Sequence, residues 1–200
     1  SLIPYMNTGL DEILELNSCV GVQPNPSAQA SRILIKFNGQ EISSASALIA
    51  LSPNGPANYE VCLKLYAAEI TGLNNDVIVD VFCISGSWEM GSGRYMNDPI
   101  TDNGVSWTWR ETSGSIAWIP SSFSANSTGS YSSSIGTGSS VGGGTWYTSQ
   151  PSASQNYTYY SDKDLNLLVT SMITKNDGFI LKLREEFVDD TNQQPKLKFF

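Results

Sequence analysis

Histidine is absent from all 200 residues of the chain. Its absence removes the commonest general base, the Ser-His-Asp and Cys-His nucleophile systems, and the usual imidazole ligand of zinc and iron. Cysteine is nearly as scarce. Cys19, Cys62 and Cys83 show no CxxC spacing and cannot all pair with one another, so neither a thiolate metal site nor a disulfide framework is expected. Cys62 and Cys83 are expected to be reduced thiols buried in neighbouring core strands. Charge is thin as well, at 15% of residues against roughly 25% in ordinary soluble domains. Of that little charge, basic residues are the smaller part: 11 Lys and Arg face 19 Asp and Glu, for a net charge of −8. With no Lys/Arg run, the phosphate contacts that drive nucleic-acid binding have no source, and an anionic membrane surface would repel the chain. No apolar stretch approaches the ~20 residues that span a bilayer. The opening SLIPYMNTGLDEILEL is broken by Asp11, Glu12 and Glu15 and does not read as a signal peptide. Phosphate-binding glycine motifs are missing too, because SSVGGGTW has neither the lysine nor the strand–helix setting that they need.

What remains is strand signal. EILEL (12–16) and SRILIKF (31–37) alternate with period two; in the second, Ile33, Ile35 and Phe37 point one way and Arg32, Leu34 and Lys36 the other. YEVCLKLYAAEI (59–70) puts Val61, Leu63 and Leu65 on one face, and VIVDVFCI (77–84), apolar on nearly both faces, reads as a central strand. NYTYYS (156–161), DLNLLVTSMI (164–173), GFILKL (178–183) and KLKFF (196–200) continue the series. EISSASALIALSPNGP (41–56) is the best helix candidate, about two turns long, capped by Ser43 or Ser44 and stopped by Pro53-Asn54-Gly55, while DLNLLVTSMI also fits a strand running into a short helix. The fold expected is all-β, an antiparallel, jelly-roll-like β-sandwich with one short helix, formed by residues 1–200 as one domain cut at both ends. Residues 121–155, rich in Ser and Gly, read as a loop insert too poor in apolar surface to order by itself.

Candidate chemistry is sparse. Glu89, Asp98, Asp102 and Glu111 offer carboxylates for glycoside hydrolysis, but acids in polar loops more often cap turns, and no catalytic role is expected for them. EEFVDD (185–190) lacks the spacing of a calcium loop and reads as a solvated acidic loop. Asn126 and Asn156 match the glycosylation acceptor pattern but read as ordinary loop residues. Aromatics are the better signal. Trp88 and Trp107 are expected to close the ends of the core. Trp109, Trp118, Tyr131, Trp146 and Tyr147 lie among Gly, Ser and Pro and are the candidates for stacking on a protein partner or a sugar. No catalytic residue, cofactor or metal is expected.

The order of these segments resembles the DNRLRE-type β-sandwich family, a carbohydrate-binding-module-like group. The likeness rests on Ser31, Arg32, Lys36, Phe37, Leu63, Leu65, Tyr66, Trp88, Trp107, Val169, Thr170, Asn176, Gly178 and Leu181. The Gly/Ser-rich insert and the GGGTWYT stretch are similar to virion structural proteins of tailed phages, including those of cyanobacteria. The spacer between Ile173 and Asn176 is shorter than the family's. The resemblance implies a non-enzymatic virion component (tail, fibre, baseplate or capsid surface) that contacts other virion proteins and copies of itself, with a host surface glycan as a further possible ligand. Its expected place is the virion. The alternative is a secreted or surface carbohydrate-binding module, placed outside the cell. Nucleic acid and membrane are not expected partners.

Overall fold

A computed structural model describes residues 6–20, 30–51, 62–72, 77–84, 86–113, 115–118, 129–130, 144–146, 153–157, 162–164, 177–184, 186–188 and 194–200. In chain order the elements are β1 (Leu14–Asn17), β2 (Cys19–Val20), β3 (Ile33–Ile35), α1 (Gly39–Ala50), β4 (Cys62–Lys64), β5 (Ala67–Thr71) and β6 (Val77–Cys83). Then come β7 (Trp109–Glu111), β8 (Ile116–Ala117), β9 (Gly129–Ser130), β10 (Thr145–Trp146), β11 (Ala153–Tyr157), β12 (Asp162–Asp164), β13 (Phe179–Leu183), β14 (Phe187–Val188) and β15 (Lys196–Phe199). Among the described residues the fold is therefore mostly strand with one helix, and the pairings are antiparallel apart from β2 with β14. Among the described residues the largest sheets are a four-stranded one ordered β11-β6-β13-β3 and a three-stranded one ordered β1-β15-β5.

Register decides what each face of the four-stranded sheet carries. Leu181 of β13 lies between Val81 of β6 and Ile33 of β3; one step along, Ile180 lies between Phe82 and Leu34. Because side chains alternate across a strand, the rows alternate too. Val79, Val81, Phe179, Leu181, Leu183 and Ile33 join Leu16, Leu65, Leu197 and Phe199 in one apolar cluster, which draws on both sheets. On the opposite face Ile84 and Ile180 form a second cluster with Trp118, flanked by Leu34, Phe82, Trp88 and Val105. β6 is central, as its β-branched, two-sided composition predicts, and all five residues of β13 beside it are buried.

Four expectations need correction. Residues 59–70 do not form one strand: β4 pairs with β12 and β5 with β15, and the chain breaks at Leu65, which turns into the main cluster while Tyr66 faces solvent. Consequently Cys62, on β4, and Cys83, opposite Phe179 on β6, stand in different sheets rather than on neighbouring strands. Their side chains lie outside the described residues. The helix starts earlier and runs longer, 12 residues or about three turns. Asn38 caps it, its Oδ1 accepting from the Gln40 amide at 2.8 Å, so Ser43 and Ser44 fall within its body. Finally, the 121–155 insert is not all loop. β9 and β10 pair with each other, and β11, which begins at Ala153, adds an edge strand alongside β6.

Candidate functional site

The second face of the four-stranded sheet is roofed by residues 86–113 and 115–118, through Trp88, Val105 and Trp118, in a stretch where no strand period is visible. Beneath this roof lies a row of charges. Arg32 donates to both Glu186 carboxylate oxygens, Nε at 2.6 Å and Nη2 at 2.7 Å, and both side chains are only 2% exposed. Lys182 reaches Glu186 at 3.7 Å and donates to the Leu183 carbonyl at 2.9 Å. Burial holds the Lys182 ammonium below the usual lysine range, against the opposing pull of Glu186. Asp80, beside Lys182 in register, accepts from Arg184 Nη2 at 2.6 Å. The Arg32 guanidinium lies 4.4 Å from the centroid of the Trp107 ring, a cation–π contact. Glu186 is thus a structural ion-pair partner, and the reading of 185–190 as a solvated acidic loop fails there. Two side chains 154 positions apart gave no local sign of meeting.

Indole donors pin the roof down. Trp118 Nε1 donates to the Ser106 carbonyl at 3.0 Å and Trp88 Nε1 to the Asp177 carbonyl at 2.7 Å. Trp118 is 1% exposed, so it offers no ring face to a partner, and its place among the surface candidates is corrected: it fills the second cluster instead. Trp109, on the β7–β8 hairpin, is half-buried. Tyr131, Tyr147 and the side chain of Trp146 lie outside the described residues. Of the candidate acids, Glu89 and Glu111 come together, each accepting from Ser113 Oγ at 3.3 Å, while Asp98 and Asp102 sit on a separate exposed loop. An acid/base pair needs two carboxyls in contrasting environments; these two share one exposed hydroxyl. Among the described residues no group of three or more His, Cys, Asp or Glu could hold a metal ion, and no helix is long and apolar enough to cross a membrane.

Sequence reasoning passed over the outer surface of the roof. Its hub is Asn7, a buried side chain whose Nδ2 donates to the Met90 carbonyl at 2.7 Å and the Val105 carbonyl at 2.6 Å. Its Oδ1 accepts from the Gly9 and Gly93 amides at 3.1 and 3.0 Å. Gly91 and Gly93 make this possible: a Cβ on either would run into Asn7, and Gly91 also has a positive φ of 77°. Asp11 Oδ2 accepts from the Tyr95 amide at 2.9 Å, and Asn97 Oδ1 accepts from the Arg94 amide at 2.6 Å and from Thr101 Oγ1 at 3.2 Å. Loops this heavily cross-bonded hold their side chains in fixed places. Several of the exposed side chains on these loops are large and apolar: Met96 (85% exposed), Tyr95 (64%), Met90, Ile100 and Leu10. The signal for them in the sequence was Tyr-Met standing alone in GSGRYMNDP, apolar residues with no period around them.

The described residues define a β-rich protein with large apolar side chains exposed on hydrogen-bonded loops. Comparison with protein-family models, curated proteins and solved structures gives no match to this chain.

Proposed function

We propose that the chain is a β-sandwich structural module of a phage virion (tail, fibre, baseplate or capsid surface) that works by protein–protein contact and has no enzymatic activity. The single observation behind this is the loop face of Leu10, Met90, Tyr95, Met96 and Ile100, apolar side chains exposed on loops that hydrogen bonds hold in place. Apolar groups gathered on one face mark interaction sites, Tyr and Met are enriched at interfaces, and preorganised loops lose little entropy on docking. The sandwich reading draws support from the apolar cluster shared by the two larger sheets, and the virion reading from the resemblance to tailed-phage structural proteins. Contacts to other virion proteins and to further copies of the chain follow from the same reading.

A second reading, a secreted or surface carbohydrate-binding module, takes support from Tyr95, an exposed ring in a segment that also carries the polar Asn97, Asp98, Asp102 and Asn103. One experiment separates the two. A Tyr95→Ser/Met96→Ser variant is expected to be depleted from purified particles, measured by mass spectrometry, with an unchanged melting temperature. Normal incorporation together with lost binding to a polysaccharide array would give the answer to the carbohydrate reading.

A further inference from the structure

The roof is acidic as well as apolar. Segments 6–13 and 86–106 carry Asp11, Glu12, Glu89, Asp98 and Asp102 against Arg94 alone. Of these, Glu12, Glu89, Asp98 and Asp102 are exposed, and each stands within two residues of an exposed apolar side chain: Glu12 of Leu10, Glu89 of Met90, Asp98 of Met96 and Ile100, and Asp102 of Ile100. The two sets cannot be separated by a partner, because Asn7, Asp11 and Asn97 tie the segments that bear them into one surface.

Resting on the reading that this face docks protein, we infer that its partner is a basic, amphipathic segment of a different protein, with Lys or Arg flanking bulky apolar side chains. Three arguments lead there. Charge complementarity demands a cationic rim, since like charges across an interface are strongly rejected. Methionine side chains adapt to varied apolar shapes, which suits a partner's Leu, Phe or Trp better than a flat polar surface. A second copy of the chain fits poorly. A two-fold contact would press this face on itself, carboxylates against carboxylates. Among the described basic side chains elsewhere, Arg32 and Lys182 are buried, Arg184 is paired with Asp80, Lys196 and Lys198 are paired with Glu15 and Glu69, and Arg110 donates to the Ser87 carbonyl; the exposed Lys36 is a single charge and cannot match the four exposed carboxylates of this face.

The test titrates the full chain with three fluorescent synthetic peptides of equal length: an amphipathic Lys/Leu peptide, its Glu/Leu counterpart, and a Lys/Ser peptide. The Lys/Leu peptide is expected to bind at least about tenfold more tightly than either control, and to weaken as salt rises. Tyr95→Ser/Met96→Ser should lower its affinity by roughly tenfold or more, the loss expected of central anchors. Glu12→Gln/Asp98→Asn/Asp102→Asn should weaken it and flatten its salt dependence, with melting temperatures unchanged in both variants. Equal binding of the Lys/Leu and Glu/Leu peptides, or of Lys/Leu and Lys/Ser, overturns the inference; so does binding that neither variant alters. Should these controls fail while Tyr95→Ser/Met96→Ser is still depleted from particles, the docking role stands and only the basic partner is lost. Normal incorporation of that variant removes the docking role itself.

Discussion

The two faces of β13 are built on opposite plans. On one, Phe179, Leu181 and Leu183 enter an apolar cluster whose cohesion is non-directional and scales with buried area. On the other, Ile180 is followed by Lys182 and the Arg32–Glu186 pair, all with buried side chains and each charge needing a matched partner, with a half-buried indole over the guanidinium. A face of the first kind forgives changes that conserve volume. The second does not forgive the loss of a partner, because a buried charge left behind costs more than the pair had contributed.

The contrast breaks most visibly at Glu186. Glu186→Gln keeps the volume but removes the charge that Arg32 and Lys182 share, and should cost about 3–5 kcal/mol in urea denaturation. A loss under about 1 kcal/mol would mean that the row is solvated, and the contrast with the apolar face would disappear. Asn7→Ala comes next. It strips the hub of the roof and leaves buried amides and carbonyls without their partner, at about 1–3 kcal/mol. The damage should be local: hydrogen exchange should quicken at Gly9 and Gly93 while the amides of β13 stay protected. Uniform loss of protection would show that roof and sheet open as one unit.

Lys182→Met sharpens the same comparison through pH. Burial lowers the folded-state pKa of Lys182, so below the ordinary lysine value the unfolded chain binds more protons than the folded one. Lys182 therefore makes stability rise with pH in the window just beneath 10.5. The variant should lack that rise, and identical wild-type and Lys182→Met slopes just below pH 10.5 would refute the shift. The smallest effect belongs to the surface pair of Lys198 and Glu69, 2.6 Å apart on the three-stranded sheet. The hydrogen bond from Lys198, and then its charge, hold the Glu69 carboxyl below its usual range. Its contribution is present above that range and lost as pH falls through the folded value. Because solvent screens exposed pairs, Glu69→Gln should leave the urea midpoint at neutral pH essentially where it was.

Much of the sheet was legible from local pattern. Alternation in SRILIKF placed Ile33 and Ile35 against the main cluster and Leu34 on the other face. The β-branched run 77–84 is the central strand, and GFILKL lies beside it. These succeed because strand periodicity is set by neighbours in the chain, and the sequence records neighbours. The break at Leu65–Tyr66 was not legible, since the apolar pattern continues across it and only the separate partners β12 and β15 divide the segment.

By itself, then, the sequence determined a β-rich chain with a helix near its start, the inward rows of its sheets, and a chemistry without imidazole. Tertiary structure alone decided where the Trp-rich stretch goes. Trp118 and Trp109 look alike among Ser, Thr, Ile and Pro, yet one fills a cluster and the other lies half-buried on a hairpin. Arg32 and Glu186 meet across 154 positions, and Asn7 reaches carbonyls 83 and 98 residues away. Such partners are selected when the chain closes on itself, by the need to satisfy every buried charge and amide at once. No local period encodes that requirement, and for this reason the face carrying Tyr95 and Met96 emerged only once the loops were folded together.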